Sequence, residues 1–146
     1  QCTFITPEGY VTTRIIDGTF PNYREIIPKE FTVSATCLKT DIMQALKRAA
    51  IFTDTYGQVR IGLRTEGGVV TISAMNASVG EVENHISATI EGEDLDITFN
   101  ARYIMDALAT IPGTSVMLAL AGPGRPMVIS DVPHKNFTHL VMPMNR

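Results

Sequence analysis

Apolar and polar residues along this chain follow first a period of two, then a helical period, and the sequence of periods is written twice. Phe31, Val33, Ala35 and Cys37 alternate with polar neighbours, as in a half-buried strand. The period then lengthens: Leu38, Ile42, Leu46 and Ala49 recur at helical spacing with Lys39, Gln44, Lys47 and Arg48 opposite, predicting a helix over 38–51. Three strands are predicted next. They run through Val59, Ile61 and Leu63, through Val70, Ile72 and Ala74 after the Glu66-Gly67-Gly68 turn, and through Val82, Ile86, Ala88 and Ile90.

After Gly92 the order begins again. Leu95, Ile97 and Phe99 alternate as a strand, and Asn100 is placed to cap a helix over 100–111 with Ile104, Leu108 and Ile111 on one face. Pro112-Gly113 stops it. Val116, Leu118 and Leu120, then Met127 to Ile129 after the Gly122-Pro123-Gly124 turn, then Thr138 to Met142 predict three further strands. The pattern is a β-α-β-β-β unit repeated without sequence identity, and two such units predict an α+β fold with both helices on one face of antiparallel sheets. Residues 1–16 read separately, as a hairpin around Pro7-Glu8-Gly9 with Phe4, Val11 and Ile15 expected to be buried. Residues 17–28 form a linker broken by Pro21 and Pro28.

The 146 residues, 45% of them hydrophobic, are enough for one buried core. No apolar run approaches the ~18 residues of a membrane span, so a soluble, unexported, cytoplasmic protein is expected. Cys2 and Cys37 have no metal or CxxC spacing, and Cys37 shares the buried phase of its strand. A net charge of -3 and a pI near 5.5 oppose a conventional nucleic-acid binder. The two predicted helices nonetheless carry Lys39, Lys47, Arg48 and Arg102 against only Asp41 and Asp106. That surplus suits either helices turned toward DNA or two ordinary solvated faces.

Catalytic chemistry has few candidates. His85, His134 and His139 lack a second ligand or nucleophile at a motif spacing, which leaves a Cys37 nucleophile with a distant histidine as the enzyme reading. Gly122-Pro123-Gly124-Arg125 lacks the Lys-Ser/Thr of a phosphate loop and precedes a strand, so it reads as a hairpin turn. No catalytic residue, metal site or cofactor is assigned.

Two segments carry more information: Asp17-Gly18-Thr19-Phe20-Pro21-Asn22-Tyr23-Arg24-Glu25-Ile26-Ile27-Pro28, and the C-terminal Leu140-Val141-Met142-Pro143-Met144-Asn145-Arg146. Both resemble the bacterial beta sliding clamp, the processivity subunit of DNA polymerase III. The resemblance implies the DNA-clamp fold and a fragment of a three-domain chain. Residues 1–28 would be the last hairpin of the preceding domain plus the interdomain linker, and 29–146 the C-terminal clamp domain. It implies a homodimeric ring around duplex DNA, binding without sequence preference and only as the full ring. Polymerase III catalytic subunit, clamp loader and other clamp-motif proteins would dock through a short peptide.

On that resemblance Leu140, Val141, Met142, Pro143 and Met144 would line the peptide pocket. Pro21 and Ile26 would close one side, with Asn100, Tyr103 and Pro126 on the other. Methionine is unbranched and polarizable, so such a groove can accept varied apolar anchors. From periodicity alone, Ile26 and Tyr103 fit core packing equally well. Ile51 and Phe52 match an apolar pair at the dimer interface, although they too fit the domain's own core. The strand Gly80 to Ile90, with Glu81 and Glu83, would be the edge that pairs across that interface. Lys39, Lys47, Arg48 and Arg102 would face DNA.

The sequence departs from the family pattern in places. Glu25 stands where several members carry a basic residue, Asn145-Arg146 displaces the C-terminal charge by one position, and the second domain's half of the pocket is missing. A ligand-free oligomerisation module is the other alternative to the enzyme reading.

Overall fold

The computed structural model describes residues 1–20, 22–132 and 137–144. The repeat read from the sequence is present. β1 (Cys2–Thr6) and β2 (Gly9–Thr13) form an antiparallel hairpin, followed by β3 (Val33–Leu38), α1 (Lys39–Ala49), β4 (Gln58–Arg64), β5 (Val69–Asn76) and β6 (Gly80–Gly92). The second unit is β7 (Leu95–Asn100), α2 (Ala101–Thr110), β8 (Ser115–Leu120), β9 (Met127–Asp131) and β10 (Thr138–Val141).

The eight strands of the repeat lie in the order β10-β9-β8-β3-β6-β5-β4-β7, every neighbouring pair antiparallel. The first strand of each unit reaches the other unit. β3 joins β8 with Val33 opposite Leu120, and β7 joins β4 with Phe99 opposite Val59. The long β6 changes partner along its length: Gly80 to Ser87 pair with β5, and Ala88 to Gly92 pair with β3 on the other side. At that far end Gly92 sits at φ +114, against the carbonyl of Thr32, where a side chain has no room. The chain after β10 does for β7 what the end of β6 does for β3. The Met144 amide donates to the Thr98 carbonyl at 2.9 Å, so the two ends of the strand order meet.

Both helices lie on the sheets through the stripes that their spacing predicted. α1 buries Ile42, Ala45, Leu46 and Ala49, and α2 buries Ala101, Ile104, Ala107 and Leu108. They also pack on each other. Leu38, expected on the apolar face of α1, is instead the residue before its first turn and is half exposed. Phe31 likewise precedes β3 and points away from the core.

The expected burial of Phe4, Val11 and Ile15 does not occur. All three are more than half exposed, because a two-stranded ribbon has no second layer to cover either face. Among its described residues the linker contains a single 3₁₀ turn, Tyr23–Glu25, held by Asn22 Nδ2 donating to Glu25 Oε1 at 2.7 Å. Among the described residues, no helix is long and apolar enough to cross a membrane.

Candidate functional site

A cleft of about 600 Å³ opens between the end of the linker and the turn before β9. Ile26, Ile27, Pro28 and Phe31 form one wall, and Ala121, Arg125 and Pro126 the other. The linker reaches this place because the Thr32 amide donates to the Leu120 carbonyl at 2.9 Å, extending the β3–β8 pairing by one residue. Glu25, Lys29, Glu30 and Arg125 also line it, so its charges balance. Phe31 is the member that the alternation pattern misassigned to a strand face.

The C-terminal segment lies next to this cleft. In β10 Val141 stands opposite Met127, the residue after Pro126, so the chain leaves β10 beside the cleft wall. Met142 is 58% exposed, Pro143 and Met144 are half-buried, and the Met144 amide is bound two residues before Asn100. Tyr103, in the first turn of α2, is 58% exposed. The fold thus carries Ile26 and Pro126 into one cleft and leads Met142 to Met144 from that cleft toward the α2 N-terminus. Pro21 lies outside the described residues.

Two of these residues have structural work of their own. Val141 is 2% exposed and part of the core, so it supports the groove from beneath. Leu140 is half-buried. Asn100 caps α2 as its spacing predicted: Oδ1 accepts from the Arg102 amide at 2.9 Å, while Nδ2 donates to the Tyr56 carbonyl at 2.8 Å.

The residues expected at an interface separate. Ile51 is 67% exposed, but Phe52 is half-buried against the core and beneath Gly80. A 3₁₀ turn over Ala50–Phe52 rotates the two side chains apart. Glu81 and Glu83 are exposed on β6, and Glu83 meets His85 at 3.3 Å. Among the described residues, Gly80 to Ser87 pair on one side only, which leaves a strand edge beside Ile51 and Phe52.

The four helix cations differ as well. Lys39 Nζ donates to the Ile111 carbonyl at 2.6 Å, neutralising the C-terminus of α2, so it is turned inward and not toward a ligand. Arg48 Nε is bound to Asn84 Oδ1 at 2.7 Å, and Arg102 lies 3.9 Å from Asp106. Lys47 is exposed.

Cys37 is 5% exposed, and burial, with a smaller contribution from the Asp41 charge, pushes its thiol from 9.0 up to about 12. It stays protonated at neutral pH, which removes the thiolate that a cysteine nucleophile needs. His139 stacks on Phe137 with ring centroids 6.4 Å apart, and His134 lies outside the described residues. A raised thiol value means that the unfolded chain gives up this proton first. The stabilisation is therefore whole below pH 9 and falls between pH 9 and about 12. Relative to Cys37→Ala, the wild-type chain is expected to lose about 1.4 kcal/mol of unfolding free energy per pH unit in that window. Urea melts of both proteins across it check this, and parallel pH slopes would contradict it.

One buried group has no counterpart in the sequence reading. Asp131, at the end of β9, is 1% exposed, neither carboxylate oxygen has a hydrogen-bond partner among the described residues, and any Cβ on Gly113 would fall onto them.

Comparison with known proteins identifies the fold and the family. The family model described as DNA polymerase III beta subunit, C-terminal domain, matches residues 24–145. The beta sliding clamp of Synechococcus elongatus is 31% identical over 145 residues, covering 99% of this chain and 39% of that protein. That of Halalkalibacterium halodurans is 33% identical over 134 residues, covering 90% and 35%. The chain therefore spans less than half the length of these relatives. A sliding clamp from Pseudomonas aeruginosa bound to griselimycin superimposes with a TM-score of 0.87 at 26% identity, covering 97% of this chain and 38% of that one. From residue 24 to residue 145 the match takes in the linker end, both β-α-β-β-β units and the Met-Pro-Met tail, and the chain belongs to the DNA polymerase III beta subunit family.

Proposed function

We propose that this chain is the partner-binding portion of a bacterial processivity clamp, a cytoplasmic, non-enzymatic ring that encircles duplex DNA and tethers polymerase III and other clamp-motif proteins. Residues 1–28 would complete the preceding domain, whose absent sheet would cover Phe4, Val11 and Ile15. Ile51 and the one-sided edge of β6 would meet a second protomer. Lys47, Arg48 and Arg102 would face the duplex, and their small surplus of charge agrees with a topological tether that needs little affinity.

The observation that carries this reading is the adjacency of the Ile26–Pro126 cleft, lined by apolar and charged side chains, to the start of the Met142 to Met144 tail, which leaves β10 beside Pro126 with Met142 exposed. The pKa of Cys37 disfavours the enzyme alternative. Griselimycin, the compound held by the matched Pseudomonas clamp, is the probe. Titrated into the isotope-labelled chain, it is expected to shift resonances centred on Ile26, Tyr103 and Met142 to Met144. Saturating compound that moves none of them would overturn the proposed site.

A further inference from the structure

We infer that Asp54, in the loop between α1 and β4, is a positioning residue that fixes Asn100 for partner binding; this rests on the reading that Asn100 belongs to the partner site. Asp54 Oδ1 accepts two backbone amides, Tyr56 at 3.0 Å and Gln58 at 3.2 Å, and its own carbonyl accepts the Gly57 amide at 3.1 Å. One side chain thereby folds five residues into a tight turn, with Gly57 at φ +68.

The turn presents two consecutive carbonyls to the start of α2. That of Tyr56 takes the Asn100 side chain at 2.8 Å, and that of Gly57 takes the Ala101 amide at 2.9 Å. Since Asn100 Oδ1 is held by the Arg102 amide, the side chain is gripped at both ends and cannot flip. One Nδ2 proton and one Oδ1 lone pair are left at a fixed place in the first turn of α2, the turn that carries exposed Tyr103. Without the Asp54 carboxylate the turn loses both amide bonds, the Tyr56 carbonyl is released, and Asn100 is held from the helix side alone.

The test uses the 146-residue chain, griselimycin as probe, and the Asn100 side-chain amide resonances as a reporter read with and without ligand. Asp54→Ala is expected to shift that amide pair in the free protein and to weaken griselimycin about 10-fold. Asp54→Asn, whose amide oxygen accepts the same two N–H groups, is expected to retain both properties. Gly57→Ala leaves Asp54 intact but sets a Cβ 3.3 Å from Asn100 Nδ2 at an unfavourable φ, and is expected to reproduce the loss. Wild-type Asn100 resonances and affinity in Asp54→Ala, or no rescue by Asp54→Asn, would overturn the inference while leaving the site in place. Wild-type chain that binds griselimycin without moving Asn100 would overturn the placement of Asn100 in the site, and this inference with it.

Discussion

Ending the chain after Val141 is expected to weaken griselimycin binding by at least about 10-fold and to leave the domain folded. The cut removes Met142 and Met144, the exposed and half-buried members of the tail, together with, among the described residues, one strand-like bond to Thr98. If the ligand covers what both methionines leave exposed, it gains about half of the roughly 1.5 to 3 kcal/mol that complete burial of each side chain gives, and the lower sum, about 1.5 kcal/mol, is one power of ten in affinity. Ending one residue earlier is a different experiment. It also takes Val141 out of the core, so the Leu140 terminus is expected to lose about 1.5 to 3 kcal/mol of stability in addition. Calorimetric titration and thermal melts of the two truncations separate the effects, and full affinity in the longer one would remove the tail from the site.

Phe99→Ala is expected to be the most damaging single truncation in the core. Phe99 is fully buried, and its strand β7 belongs to the second unit while pairing with β4 of the first. Its loss therefore opens a cavity where the two halves are joined, at a cost of about 3 to 5 kcal/mol. For a chain of this size that corresponds to a fall of roughly 6 to 20 °C in melting temperature. Differential scanning calorimetry reads it directly. A fall of only a degree or two would mean that the site collapses around the missing ring.

What the sequence made legible was whatever periodicity encodes. Ile42, Leu46 and Ala49 declare the buried stripe of α1, Val59, Ile61 and Leu63 the buried face of β4, and Asn100 its own cap. Periodicity says which face is covered and nothing about what covers it. Phe4, Val11 and Ile15 therefore looked like core residues although no layer lies over them in this chain. Lys39 looked like a solvated helix residue because its partner, the Ile111 carbonyl, is 72 positions away. Phe52 looked like the companion of Ile51 until a 3₁₀ turn separated them.

The bridging by the first strands was invisible for the same reason, since β3 and β7 have the same alternation whichever strands they join. At the site, the Met-Pro-Met tail and Ile26 stood out in a family motif, whereas Asp54 did not. Its contribution is made through backbone carbonyls, which any residue supplies, and only a carboxylate two positions before Tyr56 hints at the turn.

The bridging strands mean that this domain is in effect a dimer written on one chain. β3 pairs with β6 of its own β-α-β-β-β half on one side and with β8 of the other half on the opposite side, and β7 pairs with β4, so the chain can be separated into halves only by tearing β3 from β8 and β7 from β4. A half produced alone would expose the strand edges that now face the other half, and a second copy of itself would cover them. Duplication of such a self-pairing half, followed by fusion, would generate this architecture, and the short stretch between β6 and β7 is where the seam would lie.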